Sequence, residues 1–267
     1  MPNTGAGAGD TLHRLDSAIV ARGLADSRTR AQRLIDKGAV KVNGVLAGKA
    51  SQRVSADDDV AIDKGDDYAS RGAYKLLGAL EHFVPMGLPS PGGRRGLDIG
   101  ASTGGFTDVL LRLGAAEVIA LDVGHGQLIG RIRDDSRVRV LEGVNIRDVQ
   151  LENLPFQPDY VVSDVSFISL RYVIPVIARL LPPTAPAVLL VKPQFEVGKE
   201  HLGRHGIVDD DDLRDRAVDG VVACALECGF TVKACIPSPI TGMHGNVEFL
   251  LWLEQASASY FTHSHVA

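Results

Sequence analysis

From Gly96 to Leu253 short apolar runs alternate with segments of helical periodicity, and few folds accept that order. GLDIG, EVIALD, RVRVL, DYVVSD, PAVLLVK, FTVKACIP and NVEFLLWL read as strands. Phe106–Leu113, a short stretch near Gln127–Ile132, Ser169–Leu181 and Leu213–Cys228 read as the helices between them. Several strands are almost continuous Val, Ile and Leu, so both of their faces are covered. That predicts an α/β domain, a mostly parallel sheet with helices on each side. Only a loop separates Pro237 from Asn246, so the last pair includes one antiparallel strand.

The first strand runs into LDIGASTGGFTD, Leu97 to Asp108, a strand, a glycine-rich turn and a helix start in the Rossmann-like manner. A dinucleotide fingerprint needs a glycine where this chain has Ser102, because the backbone must approach a pyrophosphate. Asp98 before the turn repels a pyrophosphate and favours a ligand with a cationic end. Asp122, ending EVIALD, is placed for ribose hydroxyls, and Asn145 for adenine near the next strand end. An adenosine with a positive tail fits, and S-adenosylmethionine is that molecule. The expected cofactor contacts are Asp98, Gly100, Ser102, Thr103, Gly104, Gly105, Phe106, Asp122, Val123, Asn145 and Asp164. NAD and a purely structural turn are the competing readings.

The front of the chain is a different module. Net charge is −5 overall, yet Thr11 to Ala56 holds nine Lys/Arg against three Asp, so the remainder stands at −11. Leu12, Leu15, Ala18 and Ile19 recur at helical spacing, and Ser27 is placed to cap a second helix, Arg28 to Lys37. Val40-Lys41-Val42-Asn43-Gly44-Val45 reads as a hairpin closed by Asn-Gly. With almost no acid to compensate them, Arg14, Arg28, Arg30, Arg33, Lys37, Lys41 and Lys49, joined downstream by Arg71, are expected to contact RNA phosphates. The alternative is a solvated basic face.

The stretch HRLDSAIVARGLADSRTRAQRLIDKGAVKVNGVLAGKASQRV resembles the RNA-binding domain of ribosomal small-subunit protein four, through its RLD, SR and GxVxVNG elements. That resemblance implies binding of structured RNA.

Charged residues also stand beside strand ends or a helix in SRGAYKL, VSDVSF, VKP and NVEF. Singly, Lys75 reads as a solvated helix residue, Asp164 as a helix cap, Lys192 as snorkelling and Glu248 as an outward strand position. Two lysines and two carboxylates around one ligand edge make a site instead. In the order Lys75, Asp164, Lys192, Glu248, with the LDIGASTGGFTD turn between, they resemble the catalytic tetrad of FtsJ-type RNA ribose 2′-O-methyltransferases. With the front module added, the chain resembles the TlyA family over about Leu12 to Leu253. The resemblance implies a Rossmann-like methyltransferase domain, S-adenosylmethionine as cofactor and methylation of cytidine 2′-hydroxyls in the RNA of ribosomal subunits. Lys192 is the expected contact to the reacting hydroxyl, either as a neutral base or as a charged stabiliser of the alkoxide.

The expected organisation is a flexible start (1–10), an RNA-binding domain (11–63), a linker (64–69), the methyltransferase domain (70–255) and a flexible tail (256–267). RNA docked on the front module is expected to reposition Lys75 through that linker. MPNTGAGAGD lacks the order of a signal peptide, and the apolar region Tyr172–Val191 is broken by Pro175, Arg179, Pro182, Pro183 and Pro186. Three cysteines without a CxxC pair imply neither a zinc site nor a disulfide framework. A cytoplasmic protein with no membrane partner and no required metal is expected, His201 and His205 being separated by Gly203. Two rivals remain: an RNA-binding factor with a catalytically silent cofactor domain, and a membrane-active haemolysin, a name relatives have carried.

Overall fold

A computed structural model describes residues 12–36, 39–62, 67–242 and 245–256. The expected flexible start, Lys37 and nearly all of the expected tail lie outside the described residues. By its internal contacts the chain divides between Asp67 and Tyr68.

The smaller unit holds β1 (His13–Arg14), α1 (Leu15–Ala21), α2 (Arg28–Asp36), β2 (Val40–Val42), β3 (Val45–Leu46), β4 (Arg53–Val54) and β5 (Val60–Ile62). Ser27 Oγ accepts the Arg30 amide at 3.3 Å and so caps α2. Asn43 and Gly44 both take positive φ, the geometry that lets two residues reverse a twisted hairpin. β2 pairs with β3 on one side and β5 on the other, and its inward Val40 and Val42 join Leu15, Ile19, Ala31 and Ile35 in one core. The β1–β4 pair is absent from the sequence reading because two-residue strands show no period.

The larger unit holds α3 (Ala73–Phe83), β6 (Arg95–Ile99), α4 (Gly105–Arg112), β7 (Glu117–Asp122), α5 (Gly130–Arg133), β8 (Val138–Glu142), β9 (Tyr160–Ser163), α6 (Leu170–Leu180), β10 (Pro186–Val191), α7 (Asp211–Glu227), β11 (Phe230–Pro237) and β12 (Phe249–Gln255). They form one seven-stranded sheet in the order β11-β12-β10-β9-β6-β7-β8. β12 runs antiparallel to both neighbours and every other pair is parallel, as expected from the sequence.

Side-chain alternation explains the continuous apolar runs. On β9, Tyr160 and Val162 enter a core with Leu76, Phe106 and Trp252, whereas Val161 enters the opposite core with Ile174, Ile177 and Leu253. Helices α3 and α4 cover the first face and α6 and α7 the second. Pro175 lies inside α6 and has no N–H for the Arg171 carbonyl one turn back. That carbonyl instead accepts the Cys224 thiol of α7 at 3.7 Å, and burial pushes this thiol up to about 11, so it stays a donor. Among the described residues no helix is long and apolar enough to cross a membrane.

After β8 the chain returns to lay β9 on the other side of β6. The reversal opens a crevice at the carboxyl ends of β6 and β9, where open α/β sheets take their ligands.

Candidate active site

The glycine-rich turn after β6 forms one wall of that crevice. Gly100 has φ +85°, and a Cβ there would meet the Asp164 carbonyl oxygen at 2.8 Å, so only glycine lets this turn pass under the end of β9. Ser102 takes a left-handed φ of 48° despite its side chain. Its amide donates to Asp122 Oδ2 at 2.8 Å, and Gly124 N donates to Oδ1 at 2.7 Å, so the turn and the end of β7 are fastened through one carboxylate.

A cavity of about 870 Å³ opens beside this carboxylate, lined by Gly100, Ser102, Asp122, Val123, Asn145 and Asp164. Asn145 presents its amide there, with Oδ1 accepting from Arg147 N at 3.1 Å. Thr103, Gly105 and Phe106 line an adjoining cavity of about 1050 Å³ instead.

Two expected cofactor contacts line neither cavity. Gly104 caps the start of α4 at φ +98°, a backbone conformation that favours glycine, and packs against Leu128 and Ile132. Asp98 is fully buried, and its Oδ2 accepts from Thr107 N at 2.9 Å and Thr107 Oγ1 at 2.7 Å. Its Oδ2 therefore ties β6 to α4, while Oδ1 is buried without a hydrogen-bond partner among the described residues. Burial raises the carboxyl to about 7, against the usual carboxylate range.

The second cavity brings together Lys75, Asp164, Lys192 and Glu248 from four separate segments. Lys75 is on α3 and donates to Glu248 Oε2 at 2.6 Å, with both side chains nearly buried. Lys192 follows β10, and its Nζ lies 2.7 Å from Asp164 Oδ1, just past the end of β9. The four charges thus form two pairs of opposite sign in one cavity, so none of them is buried without a counter-ion.

Three participants are missing from the sequence reading. Ser166 Oγ accepts from Lys192 Nζ at 2.8 Å. Glu196, buried in the turn after Lys192, accepts from Ser169 Oγ at 2.5 Å and Leu170 N at 2.8 Å, and its burial raises its carboxyl above the usual range. Phe167 is 90% exposed in a left-handed backbone conformation, its ring 5.3 Å from that of Phe195. Spacing two residues beyond Asp164 was the one available signal for Ser166; nothing in sequence marked Glu196.

The basic residues are less uniform than their spacing suggests. Asp16, fully buried in α1, accepts from Arg14, Arg28 and Gln32 at 3.0–3.1 Å, and Arg14 beside it holds its carboxyl well below the usual range. Arg30 pairs with Asp67. The few acids of the module are unevenly used: Arg33, Lys41 and Lys49 stay exposed, whereas Arg14 and Arg28 are tied to the one carboxylate of Asp16. Arg71 is exposed and lines the larger cavity. Tyr68 and Ala69, read as linker, pack on the larger unit: the Tyr68 ring lies 4.2 Å from the Arg112 guanidinium, and Ala69 N donates to Asp108 at 2.8 Å. Among the described residues no three His, Cys, Asp or Glu gather as a metal site.

A family model described as FtsJ-like methyltransferase matches residues 68–255, and an S4 domain model matches residues 13–60. The chain is 47% identical over 242 residues to the 16S/23S rRNA (cytidine-2′-O)-methyltransferase TlyA of Mycobacterium tuberculosis, covering 90% of this chain and 89% of that one. It is 32% identical over 254 residues to the 23S rRNA (cytidine-2′-O)-methyltransferase TlyA of Campylobacter jejuni, covering 88% and 96%. A solved structure of a Streptococcus thermophilus protein provisionally named hemolysin is 39% identical, with a TM-score of 0.69 over 92% of this chain and 89% of that one. An S4 domain ahead of an FtsJ-like domain, together with 47% identity to a TlyA over nine-tenths of the chain, makes this protein a member of the TlyA family of FtsJ-like methyltransferases.

Proposed function

We propose that the protein transfers a methyl group from S-adenosylmethionine to a ribose 2′-hydroxyl of ribosomal RNA, with cytidine as the nucleoside, in the cytoplasm where ribosomal subunits are found. The observation that carries this reading is the pairing of Lys192 with Asp164 at 2.7 Å, where the larger cavity meets the nucleoside-sized one beside Asp122. The donor set fits such a cofactor. Asp122, Val123 and Asn145 line one cavity, which supports assigning the carboxylate to ribose hydroxyls, the amide to an adenine edge and the exposed valine to one ring face, while the turn offers no cluster of cations for a pyrophosphate. When bound, S-adenosylmethionine supplies an electrophilic methyl carbon on a sulfonium.

A ribose hydroxyl is a very weak acid, so its oxygen has to be aimed and stabilised while it loses its proton. Lys192 has three N–H groups; one is donated to Ser166 Oγ and the ammonium is ion-paired with Asp164, which leaves donor capacity for the incoming oxygen. Charge on that ammonium stabilises the developing alkoxide, and the proton given up by the hydroxyl passes to water in the open crevice. Lys75 and Glu248 complete the floor of the groove as a neutral pair. Phe167, projecting beside Phe195, offers an aromatic face to a base turned out of its stack. The S4 domain, with exposed Arg33, Lys41 and Lys49, supplies phosphate contacts that hold the RNA.

The test is transfer of labelled methyl from S-adenosylmethionine to isolated ribosomal subunits, followed by mapping of ribose methylation. The wild-type protein should label cytidine riboses. Lys192→Ala should lose turnover by about 100-fold or more while still binding the cofactor. Label on a base, or no label in either subunit, overturns the proposal.

A further inference from the structure

Lysine carries a compact charge on a stem of four rotatable bonds, and one carboxylate holds it as an ion pair without fixing where its other N–H groups point. Lys75 has this simple arrangement with Glu248. Lys192 differs: its ion pair with Asp164 is not aligned as a hydrogen bond, and the directional contact of its ammonium is the bond it donates to Ser166 Oγ at 2.8 Å.

The segment carrying Ser166 is itself held in place. At its start, Asp164 N donates to the Ile99 carbonyl at 3.0 Å. Just beyond Ser166, Phe167 turns through φ +64°, a conformation a bulky residue takes only when its surroundings enforce it. At its end, Ser169 Oγ and Leu170 N donate to Glu196, which lies four residues after Lys192. The turns after β9 and β10 are thus fastened twice, once through Lys192 and once through Glu196. Ser166 lines both cavities at the point where they meet.

We propose that Ser166 is a positioning residue for methyl transfer, its hydroxyl fixing the direction of the Lys192 ammonium so that another of its N–H groups faces the ribose oxygen. The inference rests on the methyltransferase reading above. Its effect belongs to the rate of the chemical step and not to cofactor or RNA affinity.

The experiment compares full-length wild type, Ser166→Ala and Ser166→Thr with ribosomal subunits and S-adenosylmethionine. It measures kcat, KM for subunits, cofactor affinity by calorimetry and melting temperature. Ser166→Ala should lose about tenfold in kcat, the effect of one hydrogen bond to a charged group, with KM, cofactor affinity and melting unchanged. Ser166→Thr, which keeps the hydroxyl, should restore kcat. Wild-type kcat in Ser166→Ala overturns the role, as does a loss confined to KM or cofactor affinity, or a threonine variant as slow as the alanine one. Wild-type protein that leaves ribosomal RNA unmethylated overturns the functional reading itself, and the serine's role falls with it.

Discussion

Lys192 and Asp164 stand just beyond the ends of two adjacent parallel strands, and their charged atoms meet at 2.7 Å. The strand register brings them there: Leu189 of β10 lies opposite Ser163 of β9, so both side chains emerge at the same edge of the sheet. Lys75 and Glu248 reach that edge by a different route, one from a helix and one from the residue before β12. The site therefore depends on sheet assembly as well as on its four side chains.

The Lys75–Glu248 pair has side chains only 11% and 2% exposed, so removing one partner leaves a charge nearly out of water. Glu248→Gln should lower stability by roughly 3–5 kcal/mol, and the double variant Lys75→Met/Glu248→Met should recover most of it. Neither should methylate RNA. Thermal melts and methyl-transfer assays check both halves; a single variant as stable as wild type would show that the pair is hydrated.

Asp122 is the expected grip on the cofactor ribose. Asp122→Asn retains an acceptor for one of the two amides it fastens but loses the charge that strengthens bonds to ribose hydroxyls. Affinity for S-adenosylmethionine should fall about 10–100-fold by calorimetry. Unaltered affinity would locate the nucleoside elsewhere in the crevice.

Asp98 gives a pH dependence of a stated sign. An unfolded aspartate titrates at about 4, whereas burial raises the folded group to about 7. Below the lower value both states hold the proton and this contribution to stability is fully present. As pH rises through the window the unfolded chain releases its proton and the folded one does not, so the contribution declines until the folded group also ionises. Asp98→Asn, whose carbonyl can still accept from Thr107, should lack this component. The melting-temperature difference, wild type minus variant, should fall between about pH 4 and 7; a flat difference would mean that the carboxyl is ionised in the fold.

Arg33 and Lys41 are exposed, while Arg14 and Arg28 answer to Asp16. Replacing Arg33 and Lys41 by alanine should weaken binding to ribosomal subunits without lowering the melting temperature. The slope of log affinity against log salt should drop by about one per lost phosphate contact. An unchanged slope would put the phosphate track on another face.

Periodicity made the sheet legible. Runs such as VVS and VLLV place alternate residues in opposite cores, and that pattern survives in one dimension. The antiparallel β12 followed from loop length alone. The engagement of Asp98 Oδ2 did not, because it depends on the α4 residue Thr107 folding back to meet it. Asp16 was similarly opaque: charge counting saw three acids in the module but not that one of them is buried under two arginines. Both failures concern where a side chain points, which tertiary packing decides and spacing does not.

β12 slots between β10 and β11, strands that both precede it in the chain, and Glu248 stands at its threshold. Lys75 is consequently synthesised 173 residues before its counter-ion. A polypeptide made only as far as β11 possesses both lysines and Asp164 but not Glu248, so its charge set cannot close before the last strand is reached. Proteolytic loss of that strand would act as an off switch and not as a trim.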